Sequence, residues 1–247
     1  DWFAGYTKMR ANDIFELTSA QSESSYARSV RADGENISAA RSNFMVEHKL
    51  ITGLDYTTQF FGNNDTRFSL VYVAKSGEPY SVTFDGYDDA FSNDRTDGGY
   101  DAAYIPTGAS DPNVVFASSS VADTVMAHVN GSGLAGYKGQ IVPRNAFNSP
   151  WIRTLDLRIT QDINIANDHK VIVYLDVTNL LNLIDDEDGI IREYSNRSRQ
   201  IILDEDNPYD SQGRYNIVGV DPDDGLFVQN RNGQSSYQWN LGFKYQF

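Results

Sequence analysis

The last eleven residues, 237–247 (YQWNLGFKYQF), alternate without interruption. Tyr237, Trp239, Leu241, Phe243, Tyr245 and Phe247 share one parity, whereas Gln238, Asn240, Gly242, Lys244 and Gln246 share the other. Successive side chains of an extended strand point to opposite faces, so this segment presents one aromatic, apolar face and one polar face. In a soluble sheet the large residues would face a core, but here the opposite positions are polar or glycine, as if lining water. A strand with lipid outside and a wet lumen inside reads this way. Its length matches the roughly 9 to 11 residues that a tilted strand needs to cross the hydrocarbon layer.

The rest of the chain is consistent with that reading. No run approaches the roughly 18 consecutive apolar residues of a membrane helix, which excludes a helical membrane protein. A mean hydropathy of -0.47 is compatible with a barrel, because each strand shows lipid only its alternate residues and long loops dilute the signal. Cysteine is absent, which removes disulfide frameworks and thiolate metal sites. The first residues, DWFAGYTKM, already alternate and are not of the signal-peptide kind, so residue 1 reads as an interior cut from something longer.

Six segments read as strands: residues 1–12, 44–61, 66–85, 148–165, 170–184 and 237–247. In the second, Leu50, Thr52, Leu54, Tyr56 and Phe60 share a face; in the third, Phe68, Leu70 and Tyr72 oppose Arg67, Ser69 and Lys75. Leu155, Leu157, Ile159 and Ile163 oppose Thr154, Asp156, Arg158, Thr160 and Asp162 in the fourth, and Val171, Val173, Leu175 and Val177 oppose Tyr174, Asp176 and Thr178 in the fifth. Two short turns of four residues, 62–65 and 166–169, join the second strand to the third and the fourth to the fifth.

The other connections are long: 31 residues (13–43), 62 residues (86–147) and 51 residues (185–235). Both short turns fall at the end of the sheet where the chain stops, and all long links fall at the other. Outer-membrane barrels have this asymmetry, with short periplasmic turns and long outer loops. The long links carry 24 of the 34 acidic residues against 11 of the 20 basic ones, a net of -13 out of -14. The expected fold is therefore all-β: an antiparallel transmembrane β-barrel portion with three long, anionic extracellular loops. Six strands fall short of the bacterial minimum of about eight, so more strands must come from upstream or from other chains. Nucleic acid is not an expected partner, because binding it needs a basic patch.

Particular stretches then become recognisable. SGEPYS (76–81), AYIP (103–106), Pro143-Arg144, NSPWIRTLDLRITQDI (148–163), VIVYLDVTNLLN (171–182) and the closing aromatic strand ending in Phe247 together resemble the C-terminal third of a TonB-dependent outer-membrane receptor of the Oar-like kind. The resemblance implies that residues 1–247 are the last six strands of a 22-stranded barrel in a Gram-negative outer membrane. It also implies an N-terminal plug with a TonB box, neither of which lies in these residues. Partners implied are outer-membrane lipid and lipopolysaccharide, TonB through the plug, the barrel-assembly machinery during folding, and a solute of unknown identity. Tyr237, Trp239, Leu241, Phe243, Tyr245 and Phe247 would serve as assembly signal and lipid face.

Candidate sites stand beside plainer readings of the same residues. The acidic clusters that include Asp185, Asp186 and Asp188, and Asp221, Asp223 and Asp224, offer the oxygen ligands that calcium prefers, and bound cations there could bridge to lipopolysaccharide phosphates. They equally suit a solvated loop, and none has EF-hand spacing. Tyr87, Tyr100, Tyr104, Tyr194, Tyr209 and Tyr215 either form a ligand platform for sugars or peptides or pack the loops on one another. Asp156, Arg158, Thr160, Tyr174, Asp176 and Thr178 would line the wet side as cross-strand ladders or plug contacts, with direct solute contact as the alternative. The three histidines, His48, His128 and His169, have no metal-ligand spacing, and no nucleophile elbow, P-loop or dinucleotide fingerprint occurs. The expected function is energised uptake of a solute captured by the loops, with no catalysis and no required cofactor. Alternatives are an outer-membrane adhesin or assembly component that uses its loops for contact only, and a soluble secreted carbohydrate-binding β-sandwich.

Overall fold

The computed structural model describes residues 1–14, 19–32, 38–85, 100–165, 169–195, 197–223, 225–229 and 233–247. Each of the six expected segments contributes a strand to one antiparallel sheet, and the strands lie side by side in chain order. They are β1 (Trp2–Lys8), β2 (His48–Phe61), β3 (Asn64–Lys75), β4 (Ile152–Asn164), β5 (Lys170–Thr178) and β6 (Gln238–Gln246).

The register brings every apolar parity to one side. Trp2, Leu54, Leu70, Leu157, Val177 and Trp239 form a continuous row across all six strands. Tyr56, Phe68, Ile159, Leu175 and Leu241 form the next. On the opposite side the matching rows are Asp55, Ser69, Arg158, Asp176 and Asn240, then Thr57, Arg67, Thr160, Tyr174 and Gly242. A slip of one residue in any pair would mix the faces. Between β2 and β3 that slip is averted by a local irregularity. The hairpin closes on Phe61 opposite Asn64, an odd–even pair, and the register shifts between Thr58 and Phe61 so that Tyr56 meets Phe68. The turn itself is two residues, Gly62 and Asn63, not four; Gly62 has φ 64°, a left-handed value suited to glycine in tight hairpins. In the second turn, residues 166–168 lie outside the described residues.

Strand boundaries differ from expectation along most of the sheet: the first strand ends at Lys8, not residue 12, because Asn12–Asp13 pairs with Ala40–Arg41, and the second begins at His48, not residue 44. The third strand does not run through to residue 85, because the chain leaves the sheet at residues 76–78. There Gly77 lies so close to the Ser149 and Pro150 carbonyls that a β-carbon would collide with them. The fourth begins at Ile152, and Phe147–Asn148 pairs instead with Tyr80 and Pro79. The fifth ends at Thr178, since Asn179 takes φ 56° and ψ 53° and starts the short helix Leu180–Ile184.

The long connections are not open loops. Much of the second and third folds into a cap around a mixed five-stranded sheet, ordered Phe147–Asn148, Pro79–Asp85, Arg197–Leu203, Tyr215–Val220, Val114–Phe116. Two of its four pairings are parallel, so the molecule is all-β in the main but not purely antiparallel. Val82, Phe84, Ala103, Ile105, Val114, Ile201, Leu203 and Ile217 form its core with Val125, Val129 and Leu134. The helix Ser119–Gly131 buries Ala122, Val125 and Val129, spaced three and four apart on one face. Its first turn is capped by Ser118, whose Oγ accepts the Val121 N–H at 3.2 Å. The first connection is tied down by the pairing of Asn12–Asp13 with Ala40–Arg41 and by a bridge from Arg31 to Asp101.

The sheet is open among the described residues: β1 and β6 are its edges and no barrel closes within it.

Candidate functional site

The sheet has two unlike sides. On the apolar side Trp2, Tyr56, Phe60, Trp239, Leu241 and Phe243 are exposed, reaching 79% at Trp2 and 77% at Phe243. All three tryptophans of the chain lie there, because Trp151 stacks on His48, which stacks in turn on Tyr6. That aromatic group marks the cap end, where the Tyr6 hydroxyl and His48 Nδ1 are 2.6 Å apart. A second marks the far end: His169 stacks on Tyr245 and Tyr245 lies against Phe247, with the Tyr245 hydroxyl 2.6 Å from His169 Nδ1. Polar residues of this parity satisfy one another, as Thr66 and Gln161 do across the β3–β4 pair at 2.5 Å.

The polar side carries cross-strand pairs between residues of the expected parity. Arg158 Nε meets Asp176 Oδ1 at 3.0 Å across β4 and β5, and its guanidinium lies 5.1 Å from the Tyr174 ring centroid. Tyr174 has room because its partner on β6 is Gly242, where a β-carbon would strike the ring. Asp55 accepts from the Ser69 hydroxyl, and Lys170 pairs with the largely buried Asp162. An exposed pair such as Arg158–Asp176 contributes about 0–1 kcal/mol, so it tunes the surface more than it holds the sheet.

The segments that carry the family resemblance meet at the junction of sheet and cap. Ser76 exchanges bonds with the His48 backbone, its N–H donating to the His48 carbonyl at 2.8 Å and its Oγ accepting the His48 N–H at 3.1 Å. Asn148 accepts from Arg41 Nη2 at 2.6 Å and donates to the Gly77 carbonyl at 3.0 Å. Arg144, buried, donates to the Asp13 carbonyl at 2.7 Å and pairs with its carboxylate. Asp156 accepts the Asn179 N–H at 2.8 Å, and the Asn179 amide donates to the Gly189 carbonyl at 3.0 Å. Asn145 escaped the sequence reading although it follows Pro143-Arg144. It is fully buried at φ 58°, and it bonds the Ser81 hydroxyl, the Arg41 carbonyl and Asn43 at once. An asparagine tolerates the left-handed region better than most residues, the one signal that could have marked it.

Of the six tyrosines read either as a platform or as packing, the five described ones contact other groups of the protein. Tyr104 is buried, donates to Asp111 and stacks 5.5 Å from Tyr215. Tyr209 leans on Tyr215, Tyr194 stacks on Tyr80 at 4.2 Å, and the Arg197 guanidinium sits 4.0 Å above Tyr100. Tyr87 lies outside the described residues. Burial pushes the Tyr215 phenol up to about 12, with Asp101 and Tyr104 adding to it; burial and then Tyr194 do the same at Tyr80. Burial alone would raise the Asp111 carboxyl, but hydrogen bonds from Thr107, Asn113 and Tyr104 outweigh it and hold the group below the ordinary carboxylate value. Each of the five described rings thus makes a packing contact, and Tyr104 alone among them is buried.

Among the described residues no three His, Asp or Glu side chains converge to hold a metal ion. Asp185, Asp186 and Asp188 are exposed, and Asp185 uses Oδ1 to accept the Glu187 N–H. Asp221 does likewise with Asp223, and Asp224 lies outside the described residues. These are turns closed by their own side chains, so the calcium expectation gains no support from the geometry.

Cavities open near the junction among the described residues. One, of about 380 Å³, is lined in part by Arg10, Arg31, Arg41 and Arg144, of which Arg41 pairs with Glu47 and Arg144 with Asp13. Another, of about 420 Å³, lies on the polar side of the sheet where β2, β3 and β4 run under residues 233–236. Its wall includes Asp156 on β4 and Asn179 at the start of the short helix after β5. No protein-family model, curated protein or solved structure matches this chain.

Proposed function

We propose that this chain is part of the barrel wall and outer cap of a TonB-dependent outer-membrane receptor, a protein that captures a solute outside and passes it inward without chemical change. The observation that carries the reading is the pairing of an exposed apolar face with a hydrogen-bonded polar face across one six-stranded sheet. Each large side chain on that face forgoes about 1.5–3 kcal/mol of burial in water, and lipid restores it. The two aromatic groups, one near each end of the apolar face, support the reading, because membrane barrels carry aromatic girdles at both interfaces. From His48 to Phe60 a strand runs roughly 40 Å, or roughly 30 Å across the bilayer at a tilt of about 40°, enough to span the hydrocarbon layer. Open edges at β1 and β6 suit a larger barrel in which other strands, 22 in all on the family pattern, complete the wall. A soluble sandwich would have to leave the same face to water, where it invites aggregation.

Fractionation of the full-length protein tests this reading. Retention in the outer-membrane fraction, with release only by detergent and a heat-dependent shift in gel mobility, is expected. A full-length protein that stays in the aqueous phase without detergent would overturn it.

A further inference from the structure

The cavity of about 420 Å³ is lined by two lysines and one acid in a chain of net charge -14. Lys49 on β2 and Lys75 on β3 are direct cross-strand partners, and both line it. Like charges placed opposite each other across a strand pair oppose folding. Neither side chain makes a hydrogen bond or ion pair with any described residue. The lysine row continues into Thr7 on one side and Ile152 on the other, so no carboxylate enters it. The one acid on the cavity wall, Asp156, lies four residues further along β4, roughly 13 Å away at about 3.3 Å per residue, and already accepts the Asn179 N–H. Val73, Ile152 and Ile191 supply the apolar part of the wall, and the remainder is polar, including Thr154, Thr178 and Gln238.

We propose that this cavity binds a small organic anion, with its acid group between Lys49 and Lys75 and its carbon skeleton on Val73, Ile152 and Ile191. Ammonium groups are compact charges that bind carboxylate and phosphate oxygens alike. The volume lies at the small end of the 300–1,000 Å³ typical of ligand pockets. An anion seated there relieves the repulsion that the fold otherwise tolerates. The inference rests on the receptor reading for how the solute arrives and where it goes once bound, and names the solute class.

Equilibrium binding to the full-length protein in neutral detergent tests it, with benzoate, phenyl phosphate and the neutral benzamide as probes. Saturable binding of at least one anion is expected, at least tenfold tighter than benzamide and weakening as salt is raised. Tighter benzoate identifies a carboxylate, and tighter phenyl phosphate a phosphate ester. The double variant K49Q/K75Q should lose at least tenfold in anion affinity. Lys75→Glu, which turns the repulsive pair into an attractive one, should abolish anion binding while leaving the thermal midpoint unchanged or raised. Equal binding of benzamide, undiminished anion binding by K49Q/K75Q, or no saturable binding of either anion would overturn the proposal. Any of these results in a protein that fractionates with the outer membrane refutes the cavity and leaves the receptor reading intact; anion binding by a protein found in the aqueous phase does the reverse.

Discussion

The sheet and the cap are built from the same material, short apolar alternations, and dispose of it in opposite ways. In the cap, Val82 and Phe84 on one strand and Ile201 and Leu203 on its neighbour turn inward on the helix Ser119–Gly131 and are almost completely buried. In the sheet, Leu241 and Phe243 alternate just as cleanly and stand 68% and 77% exposed. Alternation alone therefore does not say what an apolar face meets. What separates the two regions is the partner: the cap strands have a helix and crossing loops above them, whereas nothing described covers the Trp2–Trp239 row. One region solves its burial internally, and the other leaves the solution to its surroundings.

Substitutions should tell the two apart. Phe84→Ala in the cap core should cost about 3–5 kcal/mol of cap stability, read from thermal or denaturant unfolding, while the sheet's heat-dependent gel shift persists. If both signatures vanish together, cap and sheet are one cooperative unit and the contrast is weaker than drawn. Leu241→Arg on the sheet should cost roughly 2–4 kcal/mol when the protein is folded in a bilayer, the penalty of a charge at the lipid face. Were that face in water, the same change would move stability by no more than about 0.5 kcal/mol.

Alkaline pH should act on the cap alone. Tyr80 and Tyr215 are pushed up to about 12 from 10.0, so below pH 10 both states of the chain keep these protons and stability is full. Above it the unfolded chain loses the protons first, and stability should fall until about pH 12. Tyr80→Phe should flatten that fall in a pH series of unfolding midpoints. The smallest expected effect is Ser118→Ala, about 1 kcal/mol from loss of the helix cap, again confined to the cap.

Legibility in the sequence followed the same division. The sheet strands were readable because each alternates over many residues and joins its neighbour in chain order, and the polar-side residues Arg158 and Asp176 fell where their parity placed them. The exact pairing was not, since the irregularity between Thr58 and Phe61 shifts the register by one and only that shift sets Lys49 against Lys75. Most of the cap was hidden for a different reason. Its central pairing joins Pro79–Asp85 to Arg197–Leu203 in parallel, across more than a hundred residues, and no local pattern announces such a partner. The helix is the exception: Ser118 followed by Val121, Ala122, Val125 and Val129 is a capped amphipathic signal that the charge and length of the connection obscured. The tyrosines were visible but ambiguous, as composition does not distinguish a ring that waits for a ligand from one already stacked on Tyr80 or Tyr215.

The contrast comes down to what touches the apolar face, and tryptophan fluorescence reads it directly. Trp2, Trp151 and Trp239 all lie on that face and are 79%, 49% and 62% exposed. In vesicles containing lipids brominated along the acyl chain, single-tryptophan versions of the full-length protein that retain Trp2 or Trp239 should emit toward the blue and be quenched, whereas a tryptophan introduced at Phe84 in the cap core should be unaffected by bromine. Emission from Trp2 and Trp239 at the wavelength of water-exposed indole, with no quenching by brominated lipid, would contradict the account.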